Sequence, residues 1–301
     1  MTRITEFHLV GFNVPHSMKN LLVFMFLSLY SGTLGGNLMI IGVYVGSENL
    51  RSPMYFFLSH LSTCDIFLST SVVPVLLCTL ISNGKTYTMT VVGCVVQYVA
   101  SSSFPAVECF LLTVMSYDRY LAICNPLHYI YIMSSTLCLK LVTLAWLIGF
   151  LISLSVMTLI SVLGFCGQGY IDYVYCDFMP LIEASCSDTF YLELFAIVLT
   201  LPVVVFPFIF IISTYVLIFQ TILRISSDTR RTKAFSTCSS HLTVVCTYYG
   251  ILIAKYAVPV GEQSLSMSKM ISVLYTAVTP LLNPVIYSLR NQEIRKCLNK
   301  V

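Results

Sequence analysis

The sequence predicts an all-α membrane protein: a seven-transmembrane helix bundle followed by a short amphipathic C-terminal helix. Three observations carry that reading. Hydrophobic residues make up 57% of the chain and charged residues only 10%, whereas a soluble domain carries about 25% charge. Apolar runs long enough to cross a bilayer, about 20 residues each, lie at 21–45, 54–80, 95–121, 138–163, 190–219, 234–258 and 269–289. Eleven of the sixteen Lys and Arg fall in one set of alternate loops and ends: Arg51, Arg119, Lys140, Arg224, Arg230, Arg231, Lys233, Arg290, Arg295, Lys296 and Lys300. Positive residues stay on the cytoplasmic side. That set therefore faces the cytosol, 290–301 is a cytoplasmic tail, 1–20 is an extracellular N-terminus, and 1–301 reads as one domain. A net charge of +3 is too mild to suggest nucleic acid; the partner this composition demands is the lipid bilayer.

Residues 1–20 carry Arg3, Glu6, His8 and His16 but no short apolar run with a small-residue cleavage site, so the first span is expected to anchor uncleaved. That span contains Gly35-Gly36-Asn37, where small residues let backbones approach and the amide can bond across helices. Asp65, deep in the second span, and Glu108, midway along the third, are ionisable groups in lipid and so functional candidates. With no Lys or Arg at matching depth, either one is protonated or a sodium ion bridges them. Plain structural hydrogen bonding is the alternative. In the third span Ser101, Pro105, Glu108, Leu112, Met115 and Arg119 recur at steps of three and four and form one helical face. At about 1.5 Å per residue that face runs about 27 Å. Pro105 cannot donate to the carbonyl of Ser101 and should kink or loosen the helix. Asp118-Arg119 closes the span, and Asn125-Pro126 stops the helix just beyond, which places the charged pair at a membrane face.

Trp146, the only Trp, reads as packing in the fourth span. The loop at 163–189 holds Cys166, Cys176 and Cys186. With Cys94 at the outer start of the third span they form an even set on the oxidising side, which implies bridges, three connectivities being open. The other eight cysteines read as free thiols. Asp172, Asp177, Glu183 and Asp188 lie on that loop with no Lys or Arg, making either an acidic mouth that disfavours anions or a merely solvated loop. The fifth span contains Pro202 and Pro207 and ends near Tyr215; the basic stretch 224–233 after it is too short for a domain. The sixth sets His241, Val245, Tyr248, Leu252 and Tyr256 on one face, with Lys255 snorkelling at its outer end. In the seventh, Asn283-Pro284 precedes Tyr287, and the Pro weakens the helix between Asn and Tyr, a bistable element of the kind a switch needs. Residues 292–301 read as a basic amphipathic helix along the inner surface, with Cys297 a palmitoylation candidate.

Five stretches, in order, carry a family resemblance: PMYFFLS at 53–59 running on to Asp65, MSYDRYLAICNPLHY at 115–129, STYVLI at 213–218, KAFSTCSSHL at 233–242 and PLLNPVIYSLRN at 280–291. They resemble olfactory receptors, within the rhodopsin-like G-protein-coupled receptors, and together span nearly the whole chain. The resemblance implies disulfides Cys94–Cys176 and Cys166–Cys186, a polar network of Asn37, Asp65 and Asn283, and a sodium site at Asp65 and Glu108, with no other cofactor or metal. It implies a coupling and switch set of Asp118, Arg119, Tyr120, Tyr215, His241, Asn283, Pro284 and Tyr287. In that set Arg119, Tyr215 and Tyr287 stabilise an open inner face and Asp118 holds Arg119 when it is closed. With helical phase it points to a ligand pocket of Tyr98, Ser101, Ser102, Pro105, Phe178, Leu199, Val203, Tyr249, Leu252, Tyr256 and Thr276. That set is mostly apolar with a few hydroxyls and suits a small, volatile, mainly hydrophobic odorant, with Ser101, Ser102 or Tyr256 expected to supply the orienting hydrogen bond. No charge partner for an amine or acid is evident. Ligand capture would open a groove for a stimulatory olfactory-type heterotrimeric G protein at the plasma membrane, raising cyclic AMP. The chain departs from the family in carrying no Asn-X-Ser/Thr sequon.

Other classes fit less well. There is no His-Glu-x-x-His, serine nucleophile elbow or phosphate loop, so an enzyme is not expected. An ion- or proton-coupled transporter using Asp65 and Glu108 is the alternative, and the lack of a half-to-half repeat stands against it. An opsin needs a Schiff-base Lys in the seventh span, and 270–289 has none.

Overall fold

The computed structural model describes residues 4–47, 51–82, 86–257 and 265–290. The expected amphipathic helix at 292–301, with Cys297, lies outside the described residues, as does the side chain of Tyr256. Long helices follow one another in the order read from the sequence: α1 (His16–Gly46), α2 (Pro53–Ile81), α3 (Val91–Cys124), then after the short α4 (Pro126–Ile132) α5 (Ser135–Ile160), and after the short α6 (Phe178–Glu183) α7 (Phe190–Leu223) and α8 (Asp228–Ala257). The seventh is composite: α9 (Leu265–Val273), a π-helical turn (Leu274–Val278) and α10 (Thr279–Arg290). Six of the seven are long and apolar enough to cross a membrane. The exception, α8, is 30 residues long, but it opens on Asp-Thr-Arg-Arg-Thr-Lys and is rich in hydroxyls, so its average apolarity is diluted. Large apolar side chains such as Leu21, Phe24, Phe206 and Leu223 stand more than half exposed on the bundle's outside, the surface a lipid solvent requires.

Helix ends follow local chemistry more closely than the apolar runs do. Thr90 caps α3, its hydroxyl accepting from the Gly93 amide at 3.1 Å, so α3 starts upstream of the apolar stretch. Pro53 and Pro126 open α2 and α4, where a missing amide costs nothing. Pro105 does not break α3, which runs continuously through it. In the seventh helix the irregularity sits one turn before Asn283-Pro284, not between Asn283 and Tyr287. Pro280 cannot donate to the Thr276 carbonyl, and the Thr279 amide bonds Leu274 O instead, which widens the turn to π geometry.

α3 is central, packing on α2, α5, α7 and α8. Gly149 of α5 permits the closest approach: a Cβ there would lie 2.7 Å from Val107 Cγ2 and 3.1 Å from its amide nitrogen. At one end of the bundle three strands form a small sheet in the order β2-β1-β3, with β1 (Glu6–Leu9) antiparallel to β2 (Tyr87–Thr90) and parallel to β3 (Tyr170–Ile171). Phe7 and Leu9 of β1 are fully buried, the alternation expected of a strand with one face on a core. Two disulfides mark the same end, Cys94–Cys176 and Cys166–Cys186, with Cα separations of 5.3 and 5.9 Å. The apolar core divides into two clusters, one beneath the sheet and disulfides and one reaching toward Arg119.

Candidate functional site

Arg119 lies in the last turns of α3, because Asn125 ends that helix soon after. Its guanidinium donates to Asp118 Oδ2 from Nε at 2.9 Å and also from Nη2. Tyr129 OH donates to the other carboxylate oxygen at 2.8 Å, so a tyrosine beyond the Asn-Pro turn completes the clamp. Asp118 is fully buried and the Arg119 side chain 13% exposed. Tyr215, His241 and Tyr287 lie within electrostatic reach of Arg119. Tyr215 OH meets His241 Nδ1 at 2.7 Å and their rings stack, which ties α7 to α8. Tyr287 OH and His241 Nε2 are buried with no hydrogen-bond partner. Tyr120, next to Arg119, is partly buried, its ring stacked on that of Tyr117 at 6.5 Å between centroids.

Halfway along the bundle, Asn283 Nδ2 donates to both oxygens of Asp65 at 3.0 Å. Asn37 does not reach Asp65. Its amide donates to Thr33 O and, at 2.9 Å, to Pro280 O, binding α1 to the seventh helix through backbone; Pro284 packs on Gly36 there. Glu108 is 1% exposed and its Oε1 has no partner. The ion pairs found among the described residues lie toward the ends of the helices, not at this depth. Two buried carboxyls with an unpartnered oxygen fit a proton or a small hard cation.

At the disulfide end, the expected pocket residues divide between the two core clusters. Tyr98, Phe178 and Leu199 pack with the sheet-side cluster, Tyr249 and Leu252 with the other. Ser101, Pro105, Val203 and Thr276 are also buried, and Ser102 is partly so. The serines are less open to a ligand than the sequence suggests, since the Ser101 and Ser102 hydroxyls both donate to Tyr98 O, at 3.1 and 2.8 Å. Thr276 likewise donates to Ser272 O at 2.8 Å. Tyr249 OH, by contrast, is buried without a partner, beside Phe208 at 4.9 Å between ring centroids.

Lys255 does not snorkel. Its Nζ lies 2.8 Å from Asp177 Oδ2 and 5.5 Å from the Tyr275 ring centroid. Nor is the loop simply acidic: Lys269 Nζ bonds Asp172 Oδ1 at 2.6 Å and Gly11 O at 2.9 Å, so two of its four acids are neutralised by cations from helix ends. Asp177 also caps α6, accepting from the Phe178 amide, and accepts from Tyr175 OH. Burial pushes its carboxyl up, but the Lys255 charge and these hydrogen bonds hold it below the ordinary carboxylate value. No residue pattern near Lys255 announces this pair; the one usable signal was that Asp177 follows a disulfide-tethered Cys176, which fixes it over the helix ends.

Comparison with known proteins agrees with this geometry. The family model described as olfactory receptor matches residues 8–301. Human olfactory receptor 11A1 is 41% identical over 99% of this chain and 94% of its own, and human olfactory receptor 11L1 is 42% identical over 99% and 92%. Mouse olfactory receptor 5P56 is 40% identical over 99% of this chain and 96% of its own. A crystal structure of squid rhodopsin superposes with a TM-score of 0.70 at 14% identity, covering 96% of this chain and 86% of that one, which speaks to the fold alone. A match along nearly the full length, at such identity and on a rhodopsin-like bundle, places this multi-pass membrane chain in the olfactory receptor family, among receptors and not enzymes.

Proposed function

We propose that this protein is an odorant receptor. It binds a small, mainly hydrophobic volatile molecule in the half of the bundle nearer the disulfides and activates a stimulatory olfactory-type heterotrimeric G protein, raising cyclic AMP. In this reading 1–301 is a single receptor domain in the plasma membrane, with 1–20 outside the cell and the Arg119 end in the cytosol. The ligand lies among Tyr98, Ser101, Ser102, Pro105, Phe178, Leu199, Val203, Tyr249, Leu252, Tyr256 and Thr276. Its polar atom, where it has one, bonds to Tyr249, whose buried hydroxyl has no protein partner. Asp65 and Glu108 hold a proton or a sodium ion midway.

The single observation that supports coupling most is the Arg119 clamp. Asp118, itself bonded by Tyr129, holds a guanidinium at the end of the same helix whose opposite half carries the pocket residues. A ligand that favours a conformation with this clamp open, and the inner end of α8 displaced, exposes a G-protein cradle. Odorant-stimulated nucleotide exchange in membranes carrying the full chain tests it. Arg119→Ala is expected to abolish the stimulated signal at unchanged surface level; persistence of that signal would falsify the coupling assignment. Replacing sodium by choline in the same assay is expected to raise basal exchange, and no change would count against the ion site.

A further inference from the structure

Pro105 of α3 and the π-helical turn of the seventh helix meet at one hydroxyl on α8, that of Tyr248. It donates to the Pro105 carbonyl at 2.8 Å, lies 3.0 Å from Tyr275 OH and 3.3 Å from Cys109 Sγ. Tyr248 is 2% exposed and Tyr275 5%. A phenol has one proton, and here it goes to the carbonyl, so Tyr275 must donate to Tyr248. Tyr275 is part of the π-helical turn. Pro105 is the residue at which α3 lacks an amide donor.

We propose that the Tyr248 hydroxyl is a latch between α3, α8 and the seventh helix that holds the receptor in its silent conformation. The proposal rests on the odorant-receptor reading above. Displacing α8 from α3 breaks the Tyr248–Pro105 bond, and nothing apolar in the surrounding core can replace it. The latch also has a lever toward the ligand. Lys255 Nζ stands over the Tyr275 ring at 5.5 Å and is paired with Asp177 of the loop. A molecule that shifts the loop against α8 therefore disturbs Tyr275, and through it the donor to Tyr248.

The test uses the tagged full chain in membranes, with nucleotide exchange normalised to surface receptor. Tyr248→Phe keeps the ring and removes only the hydroxyl. It is expected to raise ligand-independent exchange roughly five-fold, the population shift that the loss of one to two buried hydrogen bonds supports. Tyr275→Phe removes one of the same bonds and is expected to give a smaller rise, and the double variant no more than Tyr248→Phe alone. A merely structural tyrosine would lower surface level and signal together; a gain of basal signal per receptor is not its signature. Basal exchange unchanged in both single variants, in a receptor whose wild type answers a volatile panel through Arg119, overturns the latch and leaves the receptor reading standing. A wild type indifferent both to the panel and to Arg119→Ala sinks both. If Tyr248→Phe fails to reach the surface, Tyr275→Phe decides the matter, since no rise there is incompatible with the latch.

Discussion

Tyr249 and Asp177 show how much a single side chain's partners decide. A buried hydroxyl without a hydrogen bond costs about 1–3 kcal/mol, and Tyr249 OH is such a group beside Phe208. Removing it relieves the empty receptor while depriving a bound ligand of its donor. Tyr249→Phe is accordingly expected to raise surface level and to lower potency about ten-fold for odorants with a carbonyl or hydroxyl, leaving pure hydrocarbons unaffected. Ser101→Ala and Ser102→Ala should shift potency far less, because those hydroxyls already donate to Tyr98 O. Dose–response curves on matched alcohol, ketone and alkane ligands read both effects. Asp177 carries a pH prediction. Its folded value lies below the ordinary one, with Lys255 and hydrogen bonds outweighing burial. A depressed carboxyl contributes its stability fully above the unfolded value of about 3.9 and loses it as pH falls through the lower folded value. The loop–α8 pair is thus intact from about pH 8 to pH 5, so odorant potency should not change over that range on its account. Asp177→Asn should weaken potency across all of it. A potency that titrates near neutrality in the wild type and is flat in the variant would reverse this assignment.

At the scale of elements, the helices were legible because lipid imposes length and apolarity on each span. Even α8, the least apolar, carries an apolar run between 234 and 258. The sheet was not legible. Its strands are 4, 4 and 2 residues long, too short for an alternating pattern to stand out, and they pair residues from before α1, before α3 and after α5. The π-turn is not legible for a related reason: Asn283-Pro284 is the conspicuous helix breaker in the sequence, whereas Pro280 is the residue next to the wide turn. The residues expected around Arg119 come from the family resemblance, whereas the bonds of Tyr129 to Asp118 and of Tyr248 to Tyr275 depend on how elements pack and have no signal in helical spacing. Packing between elements yields its own prediction at Gly149. An added methyl would sit 2.7 Å from Val107 Cγ2 and 3.2 Å from Ser103 O, and the backbone atoms there cannot rotate away. Gly149→Ala should push α5 off α3 at a cost of about 1–3 kcal/mol and lower surface receptor. Gly42→Ala on α1, where a Cβ meets nothing within 4 Å, should be neutral. Equal expression of the two variants would mean that α3 and α5 are less closely seated than this.

Across the whole molecule, the disulfide end is where segments distant in sequence are tied together. β1 crosses between the strands before α3 and after α5, Lys269 bonds both the Gly11 carbonyl and Asp172, and Tyr173 OH reaches Ser272 at 2.6 Å. Cys94–Cys176 lies inside this assembly. Both cysteines are fully buried, and Gln97 clamps the site by accepting from the Cys176 amide at 2.9 Å and donating to Ser71 O at 2.8 Å. The other bridge lies toward the surface, with Cys186 exposed. The two also differ in what they constrain, spanning 82 and 20 residues, and in the chain-entropy picture the longer loop is worth about 1 kcal/mol more. Burial adds to that difference, because losing the inner bridge leaves two thiols within a packed, hydrogen-bonded site. Cys94→Ser and Cys176→Ser are therefore expected to reduce surface delivery severely, to a small but measurable remainder, with the double variant no worse than either single. Cys166→Ser and Cys186→Ser should leave a measurable fraction at the surface that still answers odorant. Flow cytometry on a tagged chain gives the ranking. Additive losses for the first pair, or a more severe loss for the second, would show that this end of the bundle does not depend on the inner bridge as its central tie.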